Sequence, residues 1–221
     1  MKRLTFVLVS VLLALILSGC PGTGQDLDPV TYSLRDTGPA GGLVFYDKGS
    51  YSDGWRYLEA ASEDVDSGNI KEWGGRGYKI TGTGTAVGAG NVNTSIIVSF
   101  HDGLSPDYYT NNFDNNISFT NPTCTFDSSN DGTVAAKLCT DYSVINNGTT
   151  YSDWFLPSKD ELNKIYLELT VNGLGGLSGS NYWSSSESTD NYGYSQNFAN
   201  GDYNPSNSKS SSLLVRAIRA F

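Results

Sequence analysis

The sequence predicts an α+β domain of few helices, short strands and long irregular connections. Three features carry that expectation. One stretch has the spacing of an amphipathic helix with a fixed start, and the chain beyond Asn181 alternates with period two between turn residues. The remaining segments are too rich in Gly, Asn, Asp and Ser to be regular.

Taken in order, Gly41-Gly42-Leu43-Val44-Phe45-Tyr46 follows a Gly-Pro turn and reads as a first strand. Trp55-Arg56-Tyr57-Leu58 runs into Glu59-Ala60-Ala61, a strand edge leading to a short helix. From Trp73 to Gly90 glycine recurs so often that a loop is expected, with at most a brief strand at Tyr78-Lys79-Ile80. Asn93-Thr94-Ser95 is placed to cap a helix carrying Ile96, Ile97 and Phe100. His101 to Asp131 reads as a polar insertion. After it, Val134, Ala135, Leu138, Cys139 and Tyr142 recur at helical spacing.

The clearest element follows Trp154-Phe155-Leu156-Pro157. Ser158 and Glu161 form an S-x-x-E capping box, in which each side chain satisfies a backbone donor at the helix start. Leu162, Ile165, Tyr166 and Leu169 then make one apolar face, which Asn172-Gly173 ends. Tyr182-Trp183-Ser184-Ser185, Tyr194 to Phe198 and Leu213 to Phe221 read as three strands, the last able to pair with Leu43 to Tyr46. Ala199 to Ser212 is a polar connection, and no internal repeat is apparent.

The first residues are of another kind. Met1-Lys2-Arg3 is followed by an apolar run from Leu4 to Leu17, broken only by Thr5 and Ser10, and by a small-residue exit. That is the pattern of a secretory signal, and the run is too short for a comfortable membrane span. Its exit, Leu17-Ser18-Gly19-Cys20, resembles the lipobox of bacterial lipoproteins. The resemblance implies acylation of Cys20 and cleavage before it, with two or three chains on the cysteine. At about 0.8 kcal/mol per buried methylene, such an anchor does not release into water. Residues 1–19 are then a signal peptide, residues 20–38 the acylated cysteine and a flexible tether, and residues 39–221 one domain. The expected location is a membrane, with the outer membrane or cell surface favoured over the inner membrane.

Loss of Lys2 and Arg3 takes the 14 basic residues to 12 against 23 acidic ones, a net charge near −11. That balance argues against nucleic acid and polyanionic sugars as ligands, because counter-ion release would work the wrong way. Cys124 and Cys139 are left. An exported pair invites a disulfide, whereas the helical spacing also permits Cys139 as a small apolar residue on a helix face; export favours the disulfide.

Four segments taken together resemble one family. They are Asp36-Thr37-Gly38-Pro39-Ala40-Gly41-Gly42, Trp154-Phe155-Leu156-Pro157-Ser158, Tyr182-Trp183-Ser184-Ser185-Ser186-Glu187 and Val215-Arg216-Ala217-Ile218-Arg219-Ala220-Phe221. In this order and spacing they are similar to the C-terminal domain of the Legionella collagen-like adhesin and related, spirochaete-type bacterial lipoproteins. The resemblance spans Asp36 to Phe221. It implies a C-type-lectin-like fold: two or three short helices flanking a small, mostly antiparallel sheet, with the first and last strands adjacent. It also implies a binding or adhesion role; the alternative is a structural envelope lipoprotein with only protein neighbours. Two departures limit it. This chain is acidic and has no collagen stalk, so sulfated polysaccharide is not carried over. The Glu-Pro-Asn or Gln-Pro-Asp loop and Trp-Asn-Asp strand of calcium-dependent lectins are missing as well.

Catalytic chemistry finds no constellation in the sequence. His101 is the single histidine and reads as an exposed loop residue without a partner motif; with so few His and Cys, a zinc site is not expected. No phosphate-binding loop is recognisable, nor is the cysteine context of the formylglycine-generating enzymes. Asp127-x-Ser129-x-Asp131-Gly132 opens like an EF-hand loop, but position twelve is Leu138 rather than a bidentate Glu, which leaves an Asx-rich turn. No cofactor, metal or enzyme activity is therefore expected. Trp55, Trp154 and Trp183 are assigned to the core. Asn191, Tyr192, Tyr194, Tyr203 and Asn204, lying among polar residues near the C-terminal strands, form the candidate ligand-binding surface, for a glycan or protein.

Overall fold

The computed structural model describes residues 30–104, 116–118, 123–125 and 133–221, and Tyr32–Phe221 forms one compact unit. The segments expected to be the signal peptide and most of the tether, Cys20 and the expected Asx-rich turn at Asp127–Gly132 lie outside the described residues. Packing begins seven residues ahead of residue 39: the Tyr32 N–H donates to the Tyr57 hydroxyl (3.2 Å), and the Arg35 N–H to the Val44 carbonyl (2.6 Å).

The chain is an α+β mixture. Strands β1 (Leu43–Ser52) and β2 (Trp55–Ala60) form a hairpin, followed by β3 (Lys71–Glu72) and helix α1 (Gly90–Leu104). After β4 (Asn116–Ser118) and β5 (Thr123–Thr125) come α2 (Ala135–Asp141), the hairpin β6 (Val144–Asn146) and β7 (Thr149–Tyr151), and α3 (Lys159–Glu168). The chain closes with β8 (Asn181–Glu187), β9 (Tyr192–Asn197), β10 (Tyr203–Ser208), β11 (Ser212–Leu213) and β12 (Ile218–Ala220). The larger sheets have the orders β1-β2-β12 and β10-β9-β8, antiparallel throughout.

Several expectations hold. The capping box at α3 is complete, with the Ser158 N–H donating to Glu161 (2.7 Å) and the Glu161 N–H to the Ser158 hydroxyl (3.3 Å). Leu162, Ile165 and Leu169 are buried against Phe45, Leu58, Phe155 and Ile218, so α3 seals the β1-β2-β12 sheet. A second cluster, around Trp73, Ile97, Cys139, Trp154 and Trp183, joins α1 and α2 to β8.

Others are corrected. The last strand pairs with β2 and not with β1, so β2 separates the first and last strands. Glu59 and Ala60 belong to strand β2 instead of opening a helix. Helix α1 starts at Gly90, ahead of Asn93-Thr94-Ser95. Asn93 and Thr94 are buried tethers within it: Asn93 bonds both backbone groups of Gly84 (2.7 Å each), and the Thr94 hydroxyl accepts from the Leu156 N–H (3.0 Å). The Tyr78–Ile80 stretch is not a strand, whereas β10 lies inside the stretch expected to be a connection. The Cys124–Cys139 disulfide is not made. Both cysteines are free and buried, and Cys139 packs as a small apolar residue between α1 and α2. Burial pushes the Cys139 thiol up, so it stays protonated and inert.

Candidate functional site

The four sequence segments interlock, and what they build is architecture. Asp36–Gly42 is a tight turn wrapped around the Glu59 carboxylate, which accepts from the N–H groups of Gly42 (2.7 Å) and Ala40 (3.2 Å). Only glycine fits at the closest approaches: a Cβ on Gly42 would lie 1.9 Å from the Ala60 carbonyl oxygen, and one on Gly38 would lie 2.4 Å from Glu59 Cδ. Arg219 reaches Glu59 (3.3 Å) and grips Asp153, beside Trp154, with two bonds of 2.8 and 2.9 Å. Arg216, fully buried, donates to Asp64 (2.8 Å) and to the carbonyls of Ala61 (2.9 Å) and Gly175 (2.6 Å). Glu161 accepts from Gly88 (2.7 Å) besides capping α3, so one carboxylate ties the α3 start to the loop ahead of α1. Burial raises the Glu59 and Glu161 carboxyls above their ordinary range, against the backbone donors that pull them down.

His101 is a correction of the same kind. It lies inside α1, fully buried, with Nδ1 at 2.7 Å from the Ile97 carbonyl and its ring edge-on to Phe100. Its pKa falls from 6.5 to about 4, chiefly through burial; the Ile97 carbonyl opposes the shift and Lys209 adds to it. The neutral imidazole donates through Nδ1. As the pH falls from about 6.5 to about 4 the unfolded chain takes up a proton that the folded chain refuses, so stability is lost over that window. At about 1.4 kcal/mol per pH unit the loss approaches 3 kcal/mol. Glu59 and Glu161 act oppositely at its acid end. The informative quantity is therefore the difference in urea-unfolding free energy between pH 7 and pH 4.5, and His101→Asn is expected to shrink it.

The candidate ligand residues do lie near the C-terminal strands. Tyr192, Tyr194 and Gln196 alternate on one face of β9, and the register sets Tyr203 opposite Gln196 on that same face. Tyr192 and Tyr203 are 40% and 39% exposed, whereas Trp154 and Trp183 are 3% and 0% exposed. The face continues onto α3, where Gln196 donates to Asn163 (2.9 Å) and the Lys159 ammonium sits 4.6 Å from the Tyr203 ring centre. Burial, with a smaller contribution from Asp160, pushes the Tyr203 phenol up to about 12, which keeps it a neutral donor. Two predicted members do not join. Asn204 pairs with Ser195 on the opposite face and caps the Ser206 N–H (2.8 Å), while Asn191 is held by Asp190 (2.9 Å).

A concavity that sequence reasoning missed lies along α1. It encloses about 860 Å³ and is bordered by Trp55 and Asp53 at the α1 start and by Tyr78, Lys79 and Phe100 farther along. Trp55, assigned to the core from sequence, is partly buried and packs against the cluster around Phe45 and Leu58, while Lys48 Nζ lies 3.9 Å from its ring centre. The only sequence signal for this surface is weak: residues 91, 92, 95, 96, 99 and 100 repeat as a polar and an apolar residue side by side. Among the described residues, no group of three or more His, Cys, Asp or Glu side chains is arranged to hold a metal ion. No protein-family model and no curated protein matches the chain.

Proposed function

We propose that the chain is the precursor of a membrane-anchored lipoprotein whose C-type-lectin-like domain is a non-catalytic binding or adhesion module. The observation that carries this reading is the pair of exposed phenols, Tyr192 and Tyr203, on the face shared with Tyr194 and Lys159. Amphipathic rings on a rigid sheet give contact area at low entropic cost. The buried ionisable groups Glu59, Glu161, Glu187, His101, Lys209, Arg216 and Arg219 make bonds inside the fold. They serve its architecture, which favours a binding role over catalysis. The partner is a glycan or protein on host, matrix or neighbouring cells, met at the outer membrane or cell surface; nucleic acid is disfavoured by charge.

A glycan array and a pull-down from host or matrix extract, each run with the intact protein and with Tyr203→Ala, test the reading. Binding that weakens in Tyr203→Ala supports it, and silence in both assays defeats it. Cys20→Ser tests the anchor in the same cells: it is expected to abolish palmitate labelling and to leave the protein unprocessed or shed.

A further inference from the structure

The groove along α1 carries an inference separate from the tyrosine face. Its helical wall presents two parallel rows. Val92, Ile96 and Phe100 form an apolar row, with Val92 60% exposed, and Asn91, Ser95 and Ser99 form an exposed polar row beside it. Successive members of a row are four residues apart, about 6 Å along the helix. An extended peptide repeats every two residues, at about 6.7 Å. The two spacings stay in step over the groove's length of about 13 Å, the rise from Asn91 to Phe100. An extended segment of four or five residues laid along α1 therefore meets one polar side chain per backbone repeat. Its alternate side chains meet the apolar row.

The ring arrangement suits a peptide. Tyr78 and Phe100 are stacked on one another, 4.8 Å apart at 12°, and the Lys48 ammonium covers one face of Trp55, so each of these rings has one face already taken. A sugar has only the remaining ring faces to stack on, whereas apolar side chains pack on ring edges and on Val92 and Ile96 as well. Charge distinguishes the ends. The Asp53 carboxylate, its side chain 88% exposed and 3.7 Å from Lys48 Nζ, stands at the α1 start beside Trp55, and Lys79, 53% exposed and 3.2 Å from Glu187, stands at the Phe100 end. Surface pairs of this kind hold weakly and can exchange with the charges of a bound peptide. The volume, about 860 Å³, lies in the range of ligand sites.

We propose that this groove binds an extended peptide segment of a partner protein. Apolar residues at alternate positions of that segment face Val92, Ile96 and Phe100, and its backbone bonds to Asn91, Ser95 and Ser99. A basic residue lies at its Asp53 end and an acidic one at its Lys79 end.

The test uses the full chain in detergent and a panel of labelled heptapeptides read by fluorescence polarisation. Each peptide has Val, Leu, Ile, Phe or Tyr at three alternate positions with threonine between, and Arg and Asp at its ends in both orders. Members of the panel are expected to bind, and peptides of the same composition with the apolar residues made adjacent are not. Val92→Arg, on an exposed site that leaves the melting temperature unchanged, is expected to weaken binding by about tenfold or more, since it sets a charge in the apolar row. The Ser95→Ala/Ser99→Ala pair removes the hydroxyls alone and is expected to weaken it severalfold. Asp53→Lys is expected to change which end-charge order is preferred, and Tyr203→Ala to leave peptide binding unchanged. No binding by any member, binding indifferent to Val92→Arg, or groove-dependent binding of neutral oligosaccharides in place of peptides overturns the proposal. Any of these leaves the adhesion reading, tested at Tyr203, standing on its own result.

Discussion

Lys209→Met is expected to lower the unfolding free energy by about 3–5 kcal/mol, the range for removing one partner of a buried ion pair. Lys209 and Glu187 have side chains 0% and 1% exposed, and their charged atoms are 2.5 Å apart. The ammonium also donates to the Tyr78 carbonyl (2.8 Å) and lies 4.7 Å from the Trp73 ring centre. Burial pulls the Lys209 pKa down, and the bond to Glu187 opposes that. Methionine keeps the stem but leaves the carboxylate with its remaining donors, the Ile80 N–H (2.6 Å) and the half-exposed Lys79 (3.2 Å). Lys79→Met removes only that outer partner and is expected to cost about 1 kcal/mol or less. Urea titrations of both variants separate the cases. If Lys209→Met unfolds at the same urea concentration as Lys79→Met, the buried pair does not hold β10 and the Tyr78 loop together.

Trp183→Ala is expected to cost about 3–5 kcal/mol, and Tyr192→Ala and Tyr203→Ala well under 1 kcal/mol each. All three are large aromatics in C-terminal strands, and context separates them. The Trp183 indole is fully buried, donates to the Lys71 carbonyl (2.8 Å) and packs beside Gly193, where a Cβ would lie 3.2 Å from the ring. Alanine there opens a cavity and strands a carbonyl. Tyr192 and Tyr203 are 40% and 39% exposed at the open part of their face, so truncation removes much less buried area than at Trp183 and strands no buried partner. Half-buried Tyr194 is expected to fall between. Ligand affinity should run in the opposite sense, because a Tyr at the centre of an interface can carry about 2 kcal/mol or more. Thermal melts and ligand titrations on the same variants test both. Tyr203→Ala unfolding as readily as Trp183→Ala would make that face part of the core.

The tyrosine face was legible in the sequence because its cue is local: phenols set among Asn, Asp, Gly and Ser at alternating positions stay outside. The α1 groove was not legible. Its rows are on one helix, but its far wall comes from Asp53, Trp55 and the Tyr78 loop, and nothing local marks those residues as neighbours of α1. Trp55 packs on the core as expected, but nothing in the sequence marks that it also borders the groove.

What the sequence determined by itself are features whose cause lies within a few residues. The capping box at Ser158, the buried stripe on α3, the Gly173 stop and the exposure order of Tyr203 and Trp183 are of this kind. The tertiary structure alone decided which strand the chain end joins, that Glu59 is swaddled by a glycine turn, that His101 is buried and neutral, and that Cys139 is left a thiol. Those outcomes rest on contacts such as Arg219 with Glu59, 160 residues apart, and Trp73 with Ser184, 111 apart. A hydrogen bond or ion pair gains its strength from exclusion of water, and water is excluded only once distant segments have closed over it.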